Sequence, residues 1–445
     1  LLLFSRVSEL IWPRVLQDME KSIYLRTHVP KHGPGATAEK ISGNQKFNLR
    51  TWHTRLEPSF PFELFGIPTP DAHLDCEVLS QVEFVEPGAE MPVRVITVPK
   101  TLKTPRIIAI EPVCMQYAQQ ALAESIVDLI EDGEATWGRV NFRNQGVNRL
   151  LAKSASRDRT LATLDLSEAS DRVHKDLVDL MLMRLPLTRE AVFACRSTRA
   201  EVAGCVIQLE KFASMGSALC FPIEAMVFFT ICLMAIWRES STTLTYRNLC
   251  EVAASIYVYG DDLIVPVDKV EAVSALLETF GLKVNIAKSF SKGNFRESCG
   301  MDAYNGEQVT PTYLRRMPPT NRHQAAEIVS YVSFANQLYT RGWWTTARRV
   351  REKVEGLIGH LPHVRETAPC LGWNSLRGDY SFQRWDRELH RPLVKSYVIK
   401  NQHADDPVTG YPALMKYFLK RGSTPLSGDH LERSVRPGRV SIKSR

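Results

Sequence analysis

The segment YVYGDDLIVP, Tyr257 to Pro266, sets two carboxylates side by side between β-prone runs. Adjacent like charges raise each other's pKa, and a divalent cation resolves that conflict. Gly260 lets the chain turn tightly where a side chain would crowd an approaching chain end. A third carboxylate lies in TLDLSEASDRV, where Asp165 closes a β-prone run and Asp171 follows it. A strand ending in Asp165 can carry that group beside the Asp261–Asp262 tip. Three carboxylates suffice for two magnesium ions ~3.5–4 Å apart, which activate an attacking hydroxyl and steady a leaving phosphate group. The donors are all hard oxygens, which suits Mg2+, with Mn2+ as a substitute. The plainer reading is helix capping ahead of Arg172, which fits Asp171 or Ser170 but leaves Asp165 too far upstream.

Three further segments carry candidate chemistry. In FASMGSALCFPIEAM, Phe212 to Met226, the small residues Ser214, Gly216, Ser217 and Ala218 precede a helix, giving a loop whose backbone can approach a base or sugar. The alternative is a glycine-containing entry to a buried helix. In VPKTLKTPRIIAIEP, Val98 to Pro112, the cations Lys100, Lys103 and Arg106 could neutralise a triphosphate, Arg106 with a bidentate fork. A solvated face is the bland counterpart. Lys288, in VNIAKSF, is placed to protonate a leaving pyrophosphate as a general acid, or else simply to face solvent.

The elements that must position these groups follow from patterning. Short β-like runs flank the basic turn between Val93 and Ile110, and Met115 to Glu131 has helical spacing. Ala162 to Leu166 reads as a strand, and Val173 to Met183 as an amphipathic helix. Ile223 to Trp237 is an apolar helix, and Ser255 to Tyr259 with Leu263 to Val267 form a hairpin tipped by the acidic pair. A helix over Val270 to Phe280 is closed by Gly281. Beyond Thr320 the chain reads as mainly helical, with Trp343, Trp344, Arg348, Arg349 and Arg351 either gripping a duplex or forming a solvated face. The end, Gly422 to Arg445, reads as a loosely ordered basic tail.

Composition bounds the rest. A hydrophobic fraction of 44% and a charged fraction of 24% exclude wholesale disorder. The net charge of +7 is modest over 445 residues, but its clustering suits a phosphate-lined groove. Nine scattered cysteines without a CxxC pair read as free, mostly buried thiols of a reducing compartment. The most apolar run, Ala225 to Trp237, is too short to span a bilayer, so no membrane is expected. The opening LLLFSRVSELIWPRV lacks an initiator Met and reads as a helix of a partial chain rather than a signal peptide.

Taken in order, HGPGATAEKISGNQKF (His32 to Phe47), VPKTLKTPRIIAIEP, DLSEASD, SMGSALCFP, YGDD and KSFSKGNFRESCGMDAYNGEQVTP (Lys288 to Pro311) resemble the RNA-dependent RNA polymerases of leviviruses, the positive-strand RNA bacteriophages. That resemblance implies an α+β right hand of fingers, palm (antiparallel sheet plus helices) and helical thumb. Residues 1–155 would form the N-terminal region and fingers, 156–310 the palm with a fingers insertion near 185–212, and 311–445 the thumb and tail. It implies metal ligation by Asp165, Asp261 and Asp262, with Lys288 as general acid. Asp171 would read the ribose 2′-hydroxyl, while Lys100, Lys103 and Arg106 would face the triphosphate. Gly216 and Ser217 belong to the nucleotide loop, although well-known members carry Ser-Met-Gly-Asn-Gly where this chain has Ser214 to Ala218. The implied partners are RNA template and product, ribonucleoside triphosphates, host elongation factors Tu and Ts and, in some members, a ribosomal protein. The implied location is the bacterial cytoplasm, and initiation would need no primer.

Two other readings compete. A reverse transcriptase also uses a Tyr-x-Asp-Asp hairpin, but Gly260 at the variable position and polar Asp171 argue for ribonucleotides. A non-catalytic RNA-binding protein with a polymerase-like fold predicts loss of an aspartate, and all three are present.

Overall fold

Residues 1–67, 80–99, 105–420 and 429–444 are described by the computed structural model. They divide into two units, Leu1–Thr310 with Pro407–Leu431, and Pro311–Asp406 with Glu432–Arg445.

The first unit opens with helices α1 (Leu2–Val15) and α2 (Gln17–Tyr24). Phe4, Val7, Ile11, Trp12 and Val15 recur every three or four residues on α1, and all are buried. Strands β1 (Val93–Pro99) and β2 (Pro105–Ile110) pair antiparallel and lead into helix α3 (Val113–Asp132). The Glu39 carboxylate accepts from Val113 N at 2.9 Å, a remote cap on the positive end of α3. Helix α4 (Gly146–Asp158) and strand β3 (Leu161–Asp165) follow, then helices α5 (Lys175–Met181) and α6 (Pro186–Ala194). Strands β4 (Arg199–Val202) and β5 (Cys205–Gln208) join the first hairpin in a sheet of order β2-β1-β4-β5. The segment after Leu185 therefore folds back on the strands near Val93.

Helix α7 (Cys220–Glu239) is the centre of the unit, every residue from Pro222 to Ile236 being buried. It is longer than the apolar run that marks it, and by length and composition it would pass for a membrane span. Its sides are instead filled by protein: Trp12 Nε1 donates to Thr230 Oγ1 at 2.9 Å, and the Trp12 ring meets Phe229 edge-on. Strands β6 (Tyr257–Tyr259) and β7 (Asp262–Pro266) then form a hairpin, and β3 adds to it antiparallel, giving the order β3-β7-β6. Helix α8 (Val270–Thr279) and the hairpin of β8 (Phe295–Ser298) and β9 (Met301–Tyr304) complete this part. The middle residues of β3 and β7 are all buried, which explains their unbroken apolar runs.

The second unit contains helices α9 (Ala325–Thr340) and α10 (Trp344–Ile358), whose Ile328, Val332, Ala335 and Val354 pack with Leu361, Leu371 and Trp373. Arg351 lies over Tyr339 and Trp373, so it belongs to packing, whereas Trp343, Trp344, Arg348 and Arg349 are exposed. The expectation of helix beyond Thr320 and of a loose tail is corrected here. Strand β10 (Tyr397–Asp405) precedes helix α11 (Gly410–Lys420) of the first unit and pairs antiparallel with β11 (Arg433–Ser444). The backbone partners of each strand lie 28 to 47 residues away, so neither polar sequence reads as a strand alone. The mixed content of helices and largely antiparallel sheets makes the fold α+β.

Candidate active site

Asp165 and Asp262 are direct cross-strand partners, Asp165 ending β3 and Asp262 opening β7. Tyr259 pairs with Asp262 across a two-residue turn of Gly260 and Asp261, which sets Asp261 at the exposed tip. Gly260 has φ +59 and Asp261 does not share a positive φ, a pattern matching a type II′ hairpin turn with glycine first. A Cβ on Gly260 would stand 2.0 Å from Phe221 Cε2 of α7. That ring packs edge-on against Tyr259 and Phe142, so the turn rests on an aromatic seat. The sheet and the turn together bring the three sequence-predicted aspartates to one edge.

The chain from Lys283 to Phe290 runs beside β3 and supplies their neighbours. Asn285 N donates to Asp165 O at 2.8 Å, and Asn285 Nδ2 donates to Asp165 Oδ2 at 2.7 Å. Ser289 Oγ accepts from Asp165 N at 3.1 Å. Lys288 Nζ stands 3.9 Å from Asp165 Oδ1 and is half exposed. On the other side, Cys299 N donates to Asp262 Oδ2 at 3.1 Å. Burial, then Asp261, then Glu297 push the Asp262 carboxyl up to about 7, and the Cys299 bond only partly opposes them. Burial likewise raises Glu297, against the pull of Lys288. Among the described residues, no three His, Cys, Asp or Glu side chains converge as a finished metal cluster. The acids are aligned but mutually repelling.

Glu224 was not singled out by sequence, yet it lies under this edge. It is buried one turn into α7, and burial, Asp261 and Asp171 in that order push its carboxyl well above the usual range. The charges of Asp261 and Asp171 both act on this one acid. The sequence signal was present, since Glu224 is the lone carboxylate in the apolar stretch from Cys220 to Trp237. Asp171 itself pairs with Lys211, Nζ to Oδ1 at 2.6 Å.

The small-residue loop is less free than its composition suggests. Gly216, φ +130, presses so closely on β2 that a Cβ would lie 1.9 Å from Ala109 O, while Ala109 N donates to Met215 O at 2.9 Å. Ser217 Oγ donates to Gln119 Oε1 at 3.2 Å and accepts from Leu219 N at 3.3 Å. This contact brings the loop to the basic strand, where Arg106 is exposed on edge strand β2. Lys100 and Lys103 lie outside the described residues. The eight described cysteines are all free, and five of them are buried.

The chain belongs to the RNA replicase, beta-chain family, whose profile matches residues 89–340. That span holds the aspartates, the loop and the Arg-Glu-Ser-Cys-Gly block. The RNA-directed RNA polymerase subunit beta of Escherichia virus Qbeta is 31% identical over 303 residues, covering 65% of this chain and 45% of that protein. The RNA-directed RNA polymerase beta chain of Enterobacteria phage fr is 33% identical over 325 residues, covering 71% and 53%. The chain thus spans about half the length of the curated relatives it matches. A solved structure, the RNA-dependent RNA polymerase of a human picobirnavirus, is more distant at 12% identity and a TM-score of 0.40, covering 60% of this chain and 55% of its own.

Proposed function

We propose that this chain is the template-copying part of a phage RNA-directed RNA polymerase, with the sheet β3-β7-β6 as its palm. The observation that carries the reading is the register pairing of Asp165 with Asp262 beside Asp261 at a two-residue turn. Residues 1–155 would serve as N-terminal region and fingers, 156–310 as palm with a fingers insertion near 185–212, and 311–445 as thumb and C-terminal tail, less Pro407–Leu431, which belong to the first unit.

The donor set fits divalent cations. Asp165, Asp261 and Asp262 offer only hard oxygens, and burial, then the neighbouring Asp261 and Glu297 carboxylates, raise the Asp262 carboxyl. Two magnesium ions there would supply activation of a 3′-hydroxyl and charge relief on a triphosphate. Asn285 fixes the Asp165 carboxylate through Oδ2, leaving Oδ1 toward Lys288. Lys288 carries a proton toward the departing pyrophosphate. Arg106, with Lys100 and Lys103, binds triphosphate oxygens, and Asp171 accepts from a ribose 2′-hydroxyl. Gly216 and Ser217 shape the floor of the nucleotide site. RNA, ribonucleotides and host factors such as elongation factors Tu and Ts are the partners this reading entails, in the cytoplasm of an infected bacterium.

The test is RNA synthesis on a template ending in C residues, with four ribonucleotides and Mg2+, without primer, with and without factors Tu and Ts. Wild type is expected to make labelled product and Asp261→Asn to lose it by about 1000-fold or more. Product built from deoxyribonucleotides alone would overturn the assignment in favour of reverse transcription.

A further inference from the structure

The Lys211–Asp171 pair is built with more support than a surface ion pair usually has. Arg196, buried, donates from Nε to Phe212 O at 2.8 Å and from Nη2 to Leu209 O at 2.6 Å and Lys211 O at 2.8 Å. Phe212 N donates to Val173 O at 2.7 Å, and Lys211 stands opposite His174 in an antiparallel bridge. The backbone at both ends of the pair is therefore fixed before the side chains meet. An exposed ion pair loses much of its worth to side-chain entropy and solvent screening; in this one Lys211 is the more covered member. Lys211 Nζ occupies Asp171 Oδ1 and leaves Oδ2 to accept from another donor.

In the small-residue loop, Ser217 bonds inward to the scaffold. The Ser217 hydroxyl gives its one proton to Gln119 Oε1, and the Ala218 amide donates to the same oxygen at 3.2 Å. Gln119 is fully buried and anchored through Nε2 to Cys195 O at 2.8 Å. The loop side chain is thus committed to the scaffold, and the acceptor-only carboxylate of Asp171 is left to test for a sugar hydroxyl. A ribose 2′-hydroxyl can donate to it and a deoxyribose cannot.

We propose that Lys211 is a positioning residue that aims Asp171 at the ribose 2′-hydroxyl and so sets the preference for ribonucleotides. The inference rests on the polymerase reading above. Its test measures kcat/KM for a ribonucleotide and its 2′-deoxy counterpart, using the full chain, a C-ended template and Mg2+. Lys211→Met should cut the ribo-over-deoxy ratio about tenfold, the scale of one charge-assisted hydrogen bond. Lys211→Arg should restore most of it, and Lys211→Met added to Asp171→Ala should change the ratio no further. If Met disrupts folding, Lys211→Gln removes the charge with a polar side chain and should likewise lower the ratio. A purely structural lysine would slow both substrates equally, and an unchanged ratio in an active Lys211→Met enzyme would overturn the proposal. Absence of RNA synthesis by the wild type would instead bring down the polymerase reading, and this inference with it.

Discussion

At Gly260 the backbone and the packing make the same demand. The φ of +59 is one that alanine adopts only with strain, and the Phe221 ring closes the space a Cβ would need. Gly260→Ala must push the turn outward and carry Asp261 with it. A displacement near 1 Å at a reacting group costs about 100-fold in rate. We expect RNA synthesis to fall by about that factor while circular dichroism shows a folded protein. An alanine variant at full rate would mean that the turn is not held against α7. The acidic pair and the need for glycine were both visible in the sequence. Phe221 was not, because nothing local says that a ring thirty-nine residues upstream will press on the turn.

Strands β3 and β8 are joined through the Arg296 side chain and through Thr163, whose Oγ1 accepts from Glu297 N at 3.3 Å. Arg296 is fully buried; its Nε donates to Leu161 O at 2.7 Å, and Nη1 donates to Phe295 O at 2.7 Å and Gly293 O at 3.1 Å. The next residues carry Glu297 and the Cys299 amide to Asp262, so Arg296 indirectly places part of the site. Arg296→Met would remove three part-buried charge-assisted hydrogen bonds, and we expect a loss of about 3 kcal/mol, read as a lower urea midpoint. A midpoint within experimental error of wild type would show that water or other donors replace it. The segment His32 to Phe47 works similarly. Lys46 is buried and donates to Gly33 O at 2.8 Å, and also to Gly35 O, tying the glycine loop to α3 through Gln116. Both blocks stood out in the sequence as motifs, and both owe much of their identity to holding the scaffold.

Across the whole molecule, pH reports the cost of buried charge. Glu111, after β2, is fully enclosed, and burial raises it from 4.5 to about 7 despite bonds from Ser197 and Gln119. Its folded pKa is the higher one, so the folded state holds the proton more tightly than the unfolded chain. The associated stability is complete below pH 4.5 and is lost as pH rises to about 7. Glu111→Gln keeps the acceptor for Ser197 without the titration. The variant's stability relative to wild type should improve by on the order of 1–3 kcal/mol between pH 4.5 and 8, read from paired urea midpoints. A constant difference across that range would show that Glu111 is solvated or stays ionised.

What the sequence determined by itself was local: the acidic hairpin, the strand ending in Asp165, the apolar helix and the presence of Lys288 nearby in sequence order. Those features follow from period, turn chemistry and charge repulsion over a few residues. Tertiary structure alone decided that Asp165 lies opposite Asp262, that Asn285 holds its carboxylate and that Lys211 reaches Asp171. It also decided that Ser217 turns inward to Gln119 and that the C-terminal segment becomes a strand. Each of these joins residues between 28 and 120 positions apart. Register, burial and the field of neighbouring charges belong to the packed chain, because no short segment carries its partner with it.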